Sequence, residues 1–349
     1  MSAVWITGMG IACPHGSTLD VVAEAQREGR SGARPLSEVF RSEGFGVEAA
    51  CIVPGWDRDV ADLKRAFGEY AAERALLDAF GTLTPDVPSR RLGIHLASGL
   101  VSTPVSEAED DLLPAFDAEG RYRHAAAAER LAEPSRWRSR HFTDHTNLHV
   151  AQITGATGPS SVNHGACAAS ATAIALGARW IQRGRCDVVL AGGFESMIHP
   201  FGMMSFQMLG ALSERQGASP EQISRPFDRT RDGFVIGEGG AVIVLESEAH
   251  ARARGAKCYG RVLGAGSSMD SHRITAPPED GRGAAEAMRR ALRSAGLNPD
   301  EIDYINAHGT GTPLNDVAET RAIKSVFGPA ANCPPVSSSK SALGHTVAA

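Results

Sequence analysis

The chain has 349 residues, 42% of them hydrophobic and 21% charged, enough for one large domain or two medium ones around a substantial core. A formal net charge of −5 argues against a nucleic-acid binder, and no run of eighteen apolar residues offers a membrane span. The six cysteines (Cys13, Cys51, Cys167, Cys186, Cys258 and Cys333) form no CxxC pair, which speaks against a zinc site or a disulfide framework and for a reduced, cytoplasmic protein.

Val4-Trp5-Ile6-Thr7-Gly8 opens the chain as a strand over 3–7 and not as a signal peptide. Residues 17–28 read as a helix with Ser17 or Thr18 at its N-cap. Val60, Leu63, Phe67, Ala71 and Leu76 recur at helical spacing over 59–80, and 92–97 reads as a buried strand. Residues 101–145 are irregular and charge-rich, an expected surface excursion. Its basic stretch Arg136-Trp137-Arg138-Ser139-Arg140 reads as a solvated loop, of interest only if the substrate rides on an acidic protein. His141, His145 and His149 are spaced to share a helix face, but no further ligands accompany them and no metal site is expected.

A strand at 160–165 and a small-residue helix over 167–183 follow. The run from Asp187 to Gly192 is continuously apolar, as in a strand buried on both faces, and 240–246 repeats that character. Gly237-Glu238-Gly239-Gly240 lacks the ending of a phosphate loop and reads as a tight turn. After a helix at 248–255 the pattern restarts: strand 258–264, helix 283–295, strand 303–307, helix 316–326, strand 335–338. The alternation marks the α/β class. The restart marks an internal duplication, dividing the chain at 1–250 and 251–349. The second part stops without counterparts of the strands at 187–192 and 240–246. Open edges and uncovered apolar faces are costly, so the chain is expected to need a partner or to belong to a longer product.

Three segments put reactive side chains where a strand ends: Val162-Asn163-His164-Gly165-Ala166-Cys167-Ala168-Ala169-Ser170, Asn306-Ala307-His308-Gly309-Thr310-Gly311-Thr312-Pro313, and Ser339-Lys340-Ser341-Ala342-Leu343-Gly344-His345-Thr346. Cys167 stands at a strand-to-helix junction among small residues. There the positive end of the helix favours thiolate, and a bulky acyl group has room to approach. A lone cysteine is more often a buried structural thiol, the reading given to Cys186, Cys258 and Cys333. For Cys167 the two histidine motifs favour a nucleophile in acyl transfer through a thioester. Taken singly, His308 is also compatible with a capping histidine in a glycine-rich turn, and His345 with a structural one.

Together the motifs TGMG, GACAAS, AGGFES, RPFDRTRDGFVIGEGG, AHGTGTP and SSSKSALGHT resemble the β-ketoacyl synthase family of condensing enzymes over almost the whole chain. The resemblance implies the thiolase-like α/β fold: two similar βαβαβαββ halves in a layered α-β-α-β-α arrangement, the second half incomplete. It implies a 3-oxoacyl-[acyl-carrier-protein] synthase of fatty-acid or polyketide synthesis. Cys167 takes the acyl group, and His308 and His345 hold the malonyl thioester carbonyl as carbon dioxide leaves. Lys340 sets the charge of the histidine pair, Glu319 is its acidic partner, and Thr310 and Thr312 hold the pantetheine arm. The helix dipole is expected to do most of the thiol activation. No cofactor is implied beyond the phosphopantetheine of the acyl carrier protein, and the expected assembly is a homodimer or a heterodimer with a related ketosynthase. The family's glycine-rich loop beyond the GHT motif, which supplies the second N–H of an oxyanion hole, has no counterpart here. The alternative is therefore a non-catalytic or chain-length-controlling subunit paired with a complete ketosynthase.

Overall fold

In a computed structural model, which describes residues 3–40, 44–58, 62–99, 113–131, 144–273, 275–329 and 331–349, strands and helices alternate as the periodicity requires. The first part carries β1 (Val4–Ala12), α1 (Leu19–Arg27), β2 (Ala33–Pro35), β3 (Ala49–Cys51), α2 (Leu63–Phe80), β4 (Leu92–Ser98), α3 (His124–Leu131), α4 (His145–Thr154), β5 (Ser160–Asn163), α5 (Ala169–Gln182), β6 (Val188–Glu195), α6 (Pro200–Met208), β7 (Gly239–Ser247) and α7 (Glu248–Ala253). The second carries β8 (Gly260–Val262), α8 (Arg282–Ala295), β9 (Ile305–Asn306), α9 (Pro313–Phe327), β10 (Val336–Ser337) and α10 (Lys340–Leu343). The basic stretch 136–140 and His141 lie outside the described residues, as do 59–61 of the expected helix over 59–80.

β1 is longer than the expected 3–7, because an irregularity between Ile6 and Gly8 lets its pairing with β7 continue to Ala12. Thr18 occupies the N-cap of α1 but makes no side-chain cap. Asp62 does cap α2, accepting the Arg65 N–H at 3.0 Å. Of the other cysteines, Cys186 is buried as expected. Cys258 is exposed and Cys333 half-buried, so neither is a core thiol.

The central sheet has the order β5-β4-β6-β7-β1-β8. β5, β4 and β6 run parallel; β7 is antiparallel to β6, and β1 is antiparallel to β7 and so points the same way as β6. Strand alternation sends Val188, Leu190, Ile94 and Leu96 to a core under α2 and α4, and Val189, Ala191 and Leu245 to a second core against α5. A sheet covered on both faces is the reason its strands read as continuous apolar runs.

Similar glycine–helix contacts occur in both parts of the chain. A Cβ on Gly8 or Gly10 of β1 would collide with the backbone of Ala75 or Ala71 in α2. A Cβ on Gly264 or Gly266, just past β8, would meet the backbone of Ala291 and Ala295, or of Ala287 and Ala291, in α8. Two glycines at one spacing, each seating a helix through alanines four apart, recur in both parts. The second part does differ from expectation. β8 pairs antiparallel with β1 and so extends the first sheet, leaving β9 and β10 as a two-stranded parallel pair.

Candidate active site

The parallel strands deliver their C-terminal ends to one side of the molecule, where β5 runs into the turn that carries Cys167. Ala166 takes a left-handed φ of 47°, unusual for a residue with a Cβ, and turns the chain sharply ahead of the cysteine. Asn163 holds the turn from within: its Oδ1 accepts the Gly165 N–H at 3.2 Å, and its Nδ2 donates to the Ala169 carbonyl at 3.0 Å. His164 Nδ1 donates to the carbonyls of Ser98 at 3.0 Å and Gly99 at 3.2 Å, tying the turn to the end of β4. The Cys167 side chain keeps contact with solvent, yet protein crowds it on most sides.

His308 follows β9. Glu319, in the second turn of α9, accepts the N–H groups of His308 and Gly309, each at 2.7 Å, and so fixes the loop backbone. Ser338 Oγ donates to the Gly309 carbonyl at 2.8 Å from the β10 side. His345 is stitched to the neighbouring segment: its N–H reaches the Val235 carbonyl at 2.8 Å, and its own carbonyl accepts from Gly237 at 2.9 Å. Its ring packs edge-on against Phe234 and lies perpendicular to His308, with centroids 5.4 Å apart.

Cys167, His308 and His345 thereby converge, with one donor atom of each within 4.8 Å of the others. Lys340 stands close enough for its charge to act on all three. Burial, aided by Lys340, pushes His308 down to about 4 and His345 well below the usual imidazole range, so both rings are neutral near pH 7. Val347 N–H donates to His345 Nδ1 at 3.0 Å, which leaves the ring proton on Nε2. That tautomer offers the site a hydrogen-bond donor and no lone pair. A metal held by cysteine and two histidines, the one such cluster among the described residues, is therefore a poor fit: His345 has no nitrogen to give it.

Two expectations need correction. The Cys167 thiol is not activated at rest: burial pushes it up, and the opposing Lys340 charge and local backbone N–H do not compensate. Cys167 sits on a 3₁₀ turn, Ala166–Ala168, ahead of α5. Glu319 makes no ion pair with Lys340 either. Its two oxygens are taken by loop N–H groups, and its charge reaches Lys340 only through space.

Thr310 and Thr312 share a hydrogen bond of 2.9 Å between their hydroxyls, and Thr312 also caps α9 by accepting the Asn315 N–H at 3.3 Å. Sequence reasoning overlooks Asp316. It is buried in the first turn of α9, where it accepts N–H groups from Phe227 at 2.6 Å and Gly311 at 3.1 Å and faces Arg231 at 3.5 Å. An acidic residue just after Thr312-Pro313, where a helix start favours negative charge, is the available signal. His149 Nε2 lies in hydrogen-bond contact with Glu73 at 2.8 Å, both side chains half-buried.

Residues 119–251 match the family described as "Beta-ketoacyl synthase, N-terminal domain", and residues 259–349 match "Beta-ketoacyl synthase, C-terminal domain". The chain is 36% identical to the mitochondrial 3-oxoacyl-[acyl-carrier-protein] synthase of Arabidopsis thaliana, across 99% of this chain and 78% of that protein. It is 36% identical to 3-oxoacyl-[acyl-carrier-protein] synthase 2 of Vibrio cholerae, across 99% and 82%. Among solved structures it superposes, with a TM-score of 0.87 and 31% identity, on a ketosynthase complex, across 100% of this chain and 83% of that one. That complex is described as a type II polyketide synthase acyl carrier protein with its ketosynthase bound to the hexaketide.

Proposed function

The chain belongs to the β-ketoacyl synthase family, and on that premise we propose that it is a 3-oxoacyl-[acyl-carrier-protein] synthase, joining an acyl group to a malonyl-derived two-carbon unit. The observation that carries the reading is the convergence of Cys167, His308 and His345 from three separate segments of the chain.

Cys167 sulfur attacks the acyl thioester of a carrier protein. Its proton passes to the departing pantetheine thiol, and the acyl group stays on Cys167. Malonyl thioester then loses carbon dioxide, and the electron pair flows into an enolate whose oxygen rests between the two histidines. The enolate carbon attacks the Cys167 thioester, a carbon–carbon bond forms, and the cysteine sulfur leaves and regains a proton. Neutral imidazoles suit this sequence. The Nε2–H of His345 strengthens its hydrogen bond as charge builds on the oxygen, and a dry recess makes that gain larger than it would be in water. Burial, with Lys340 adding to it, keeps the pair unprotonated, and Glu319 and Asp316 hold the loop that carries His308. Thr310 and Thr312 contact the pantetheine arm.

We take 1–250 as the half that brings the nucleophile and 251–349 as the half that brings His308, Lys340 and His345. The matching glycine–helix contacts of β1 and the segment after β8 support that division. The acyl carrier is a separate acidic protein; the similar ketosynthase complex, in which an acyl carrier protein is bound, supports a carrier of that kind as partner. β5 is the sheet's edge and has no outer neighbour among the described residues, which favours a dimer paired along it. Six free thiols support a reducing, cytoplasmic setting. Among the described residues no helix is long and apolar enough to cross a membrane.

The test separates two half-reactions. Cys167→Ala abolishes acyl loading with the fold intact. His308→Ala leaves loading in place and slows malonyl decarboxylation by about a hundred- to a thousandfold, the scale of one lost oxyanion donor. Equal loss of both half-reactions in His308→Ala refutes the assignment.

A further inference from the structure

Glu195, the last residue of β6, is fully buried. Its Oε1 accepts the Ser196 N–H at 3.1 Å and faces Lys64 Nζ of α2 at 3.8 Å. Its Oε2 has no aligned hydrogen-bond partner among the described residues. That oxygen presses on Gly99, where an added Cβ would collide with it. A fully buried carboxylate whose second oxygen meets only the Gly99 backbone is costly unless its position serves something. The contact leads to the nucleophile. Gly99 and Ser98 present the carbonyls that accept His164 Nδ1–H, and His164 begins the turn that Asn163 clamps ahead of Cys167.

We propose that Glu195, held by Lys64, is a positioning residue for Cys167: ionisation of its carboxyl shifts the Ser98–Gly99 carbonyls and, through His164, the turn that presents the thiol. The inference rests on the reading of Cys167 as the acyl-accepting nucleophile.

The change falls in the neutral range. Burial pushes Glu195 up to about 7, against the pull of Lys64 and of the amides of Ser196 and Gly99, with Asp62 adding a small push upward. Lys64 and Asp62 face it from the start of α2. His199 stands in the segment after β6, its own pKa lowered by burial and by Lys64. Beyond Ser196, whose Oγ donates to Glu238 at 2.7 Å, lies the Glu238–Arg58 pair. Ser98 and Gly99 bring no charge, nor does Ala348, which packs beside Gly99.

The test is the rate of Cys167 alkylation by iodoacetamide against pH, followed on the Cys167 peptide by mass spectrometry. The wild-type profile carries a step of about threefold or more centred near pH 7, on top of the thiol's own rise. Glu195→Gln removes the step. Lys64→Met moves it to higher pH, because losing the cation disfavours the carboxylate. A wild-type profile with no step, a step unchanged in Glu195→Gln, or one unmoved in folded Lys64→Met overturns the proposal. Alkylation needs no condensation activity. Absence of the wild-type step with acyl loading intact therefore defeats this inference alone, whereas absence of loading defeats the reading beneath it.

Discussion

At Cys167 two effects oppose each other: burial holds the proton on sulfur, and Lys340 draws it off. Removing the cation sharpens the first effect. Lys340→Ala raises the thiol's pKa further, and a thiol whose pKa stands higher by about one holds roughly a tenth of the thiolate at a pH well below it. The same substitution lifts His308 from about 4 toward the ordinary imidazole range, since a nearby positive charge disfavours a protonated ring. Iodoacetamide alkylation of Cys167 therefore slows, and the His308 titration seen by NMR moves up. Unchanged alkylation, or a His308 titration that stays put, would show that Lys340 acts through contacts and not through charge. None of this was legible in the residues: a helix start argues for thiolate, but the direction of the net effect depends on how much protein surrounds the sulfur.

At the scale of elements, Cys167, His308 and Lys340 each lie within about a turn of a strand end and His345 follows the short helix after β10, while the strands of the central sheet were readable because a sheet covered on both faces needs unbroken apolar runs. β4, β5, β6, α5, β7 and β9 stand close to where the pattern placed them, and with β5 and β9 the positions of Cys167 and His308. What pattern could not give is which partner a charge finds. Glu319 matched an acidic partner for Lys340, yet a carboxylate in the second turn of α9 finds two loop N–H groups nearer than any ammonium. Glu319→Ala therefore strands two loop N–H groups at about 1–3 kcal/mol each if both stay buried, lowering thermal stability. It also disables malonyl decarboxylation by freeing the His308 loop, while acyl loading of Cys167 survives. Wild-type decarboxylation by Glu319→Ala would mean that Ser338 and Asp316 suffice to hold that loop. β8 escaped for a similar reason: three residues with strand character can join either sheet, and only tertiary pairing put them beside β1.

Across the whole molecule, the site exists because the two parts of the chain meet. The first brings the nucleophile at the end of β5, and the second brings the imidazoles and the lysine from β9 and the segment after β10. The glycine–alanine seating of α2 on β1 recurs between α8 and the segment just past β8. A restart in the hydrophobic pattern was enough to suggest it, whereas the placement of Glu195 beneath the nucleophile turn required the fold. The central claim is that this convergence forms a working acyl-accepting site, and intact-mass analysis after mixing the chain with acyl-carrier-protein thioesters tests it most directly. The account predicts a single acyl adduct that disappears in Cys167→Ala. A folded chain that gains no adduct, or one whose adduct persists in Cys167→Ala, would contradict it.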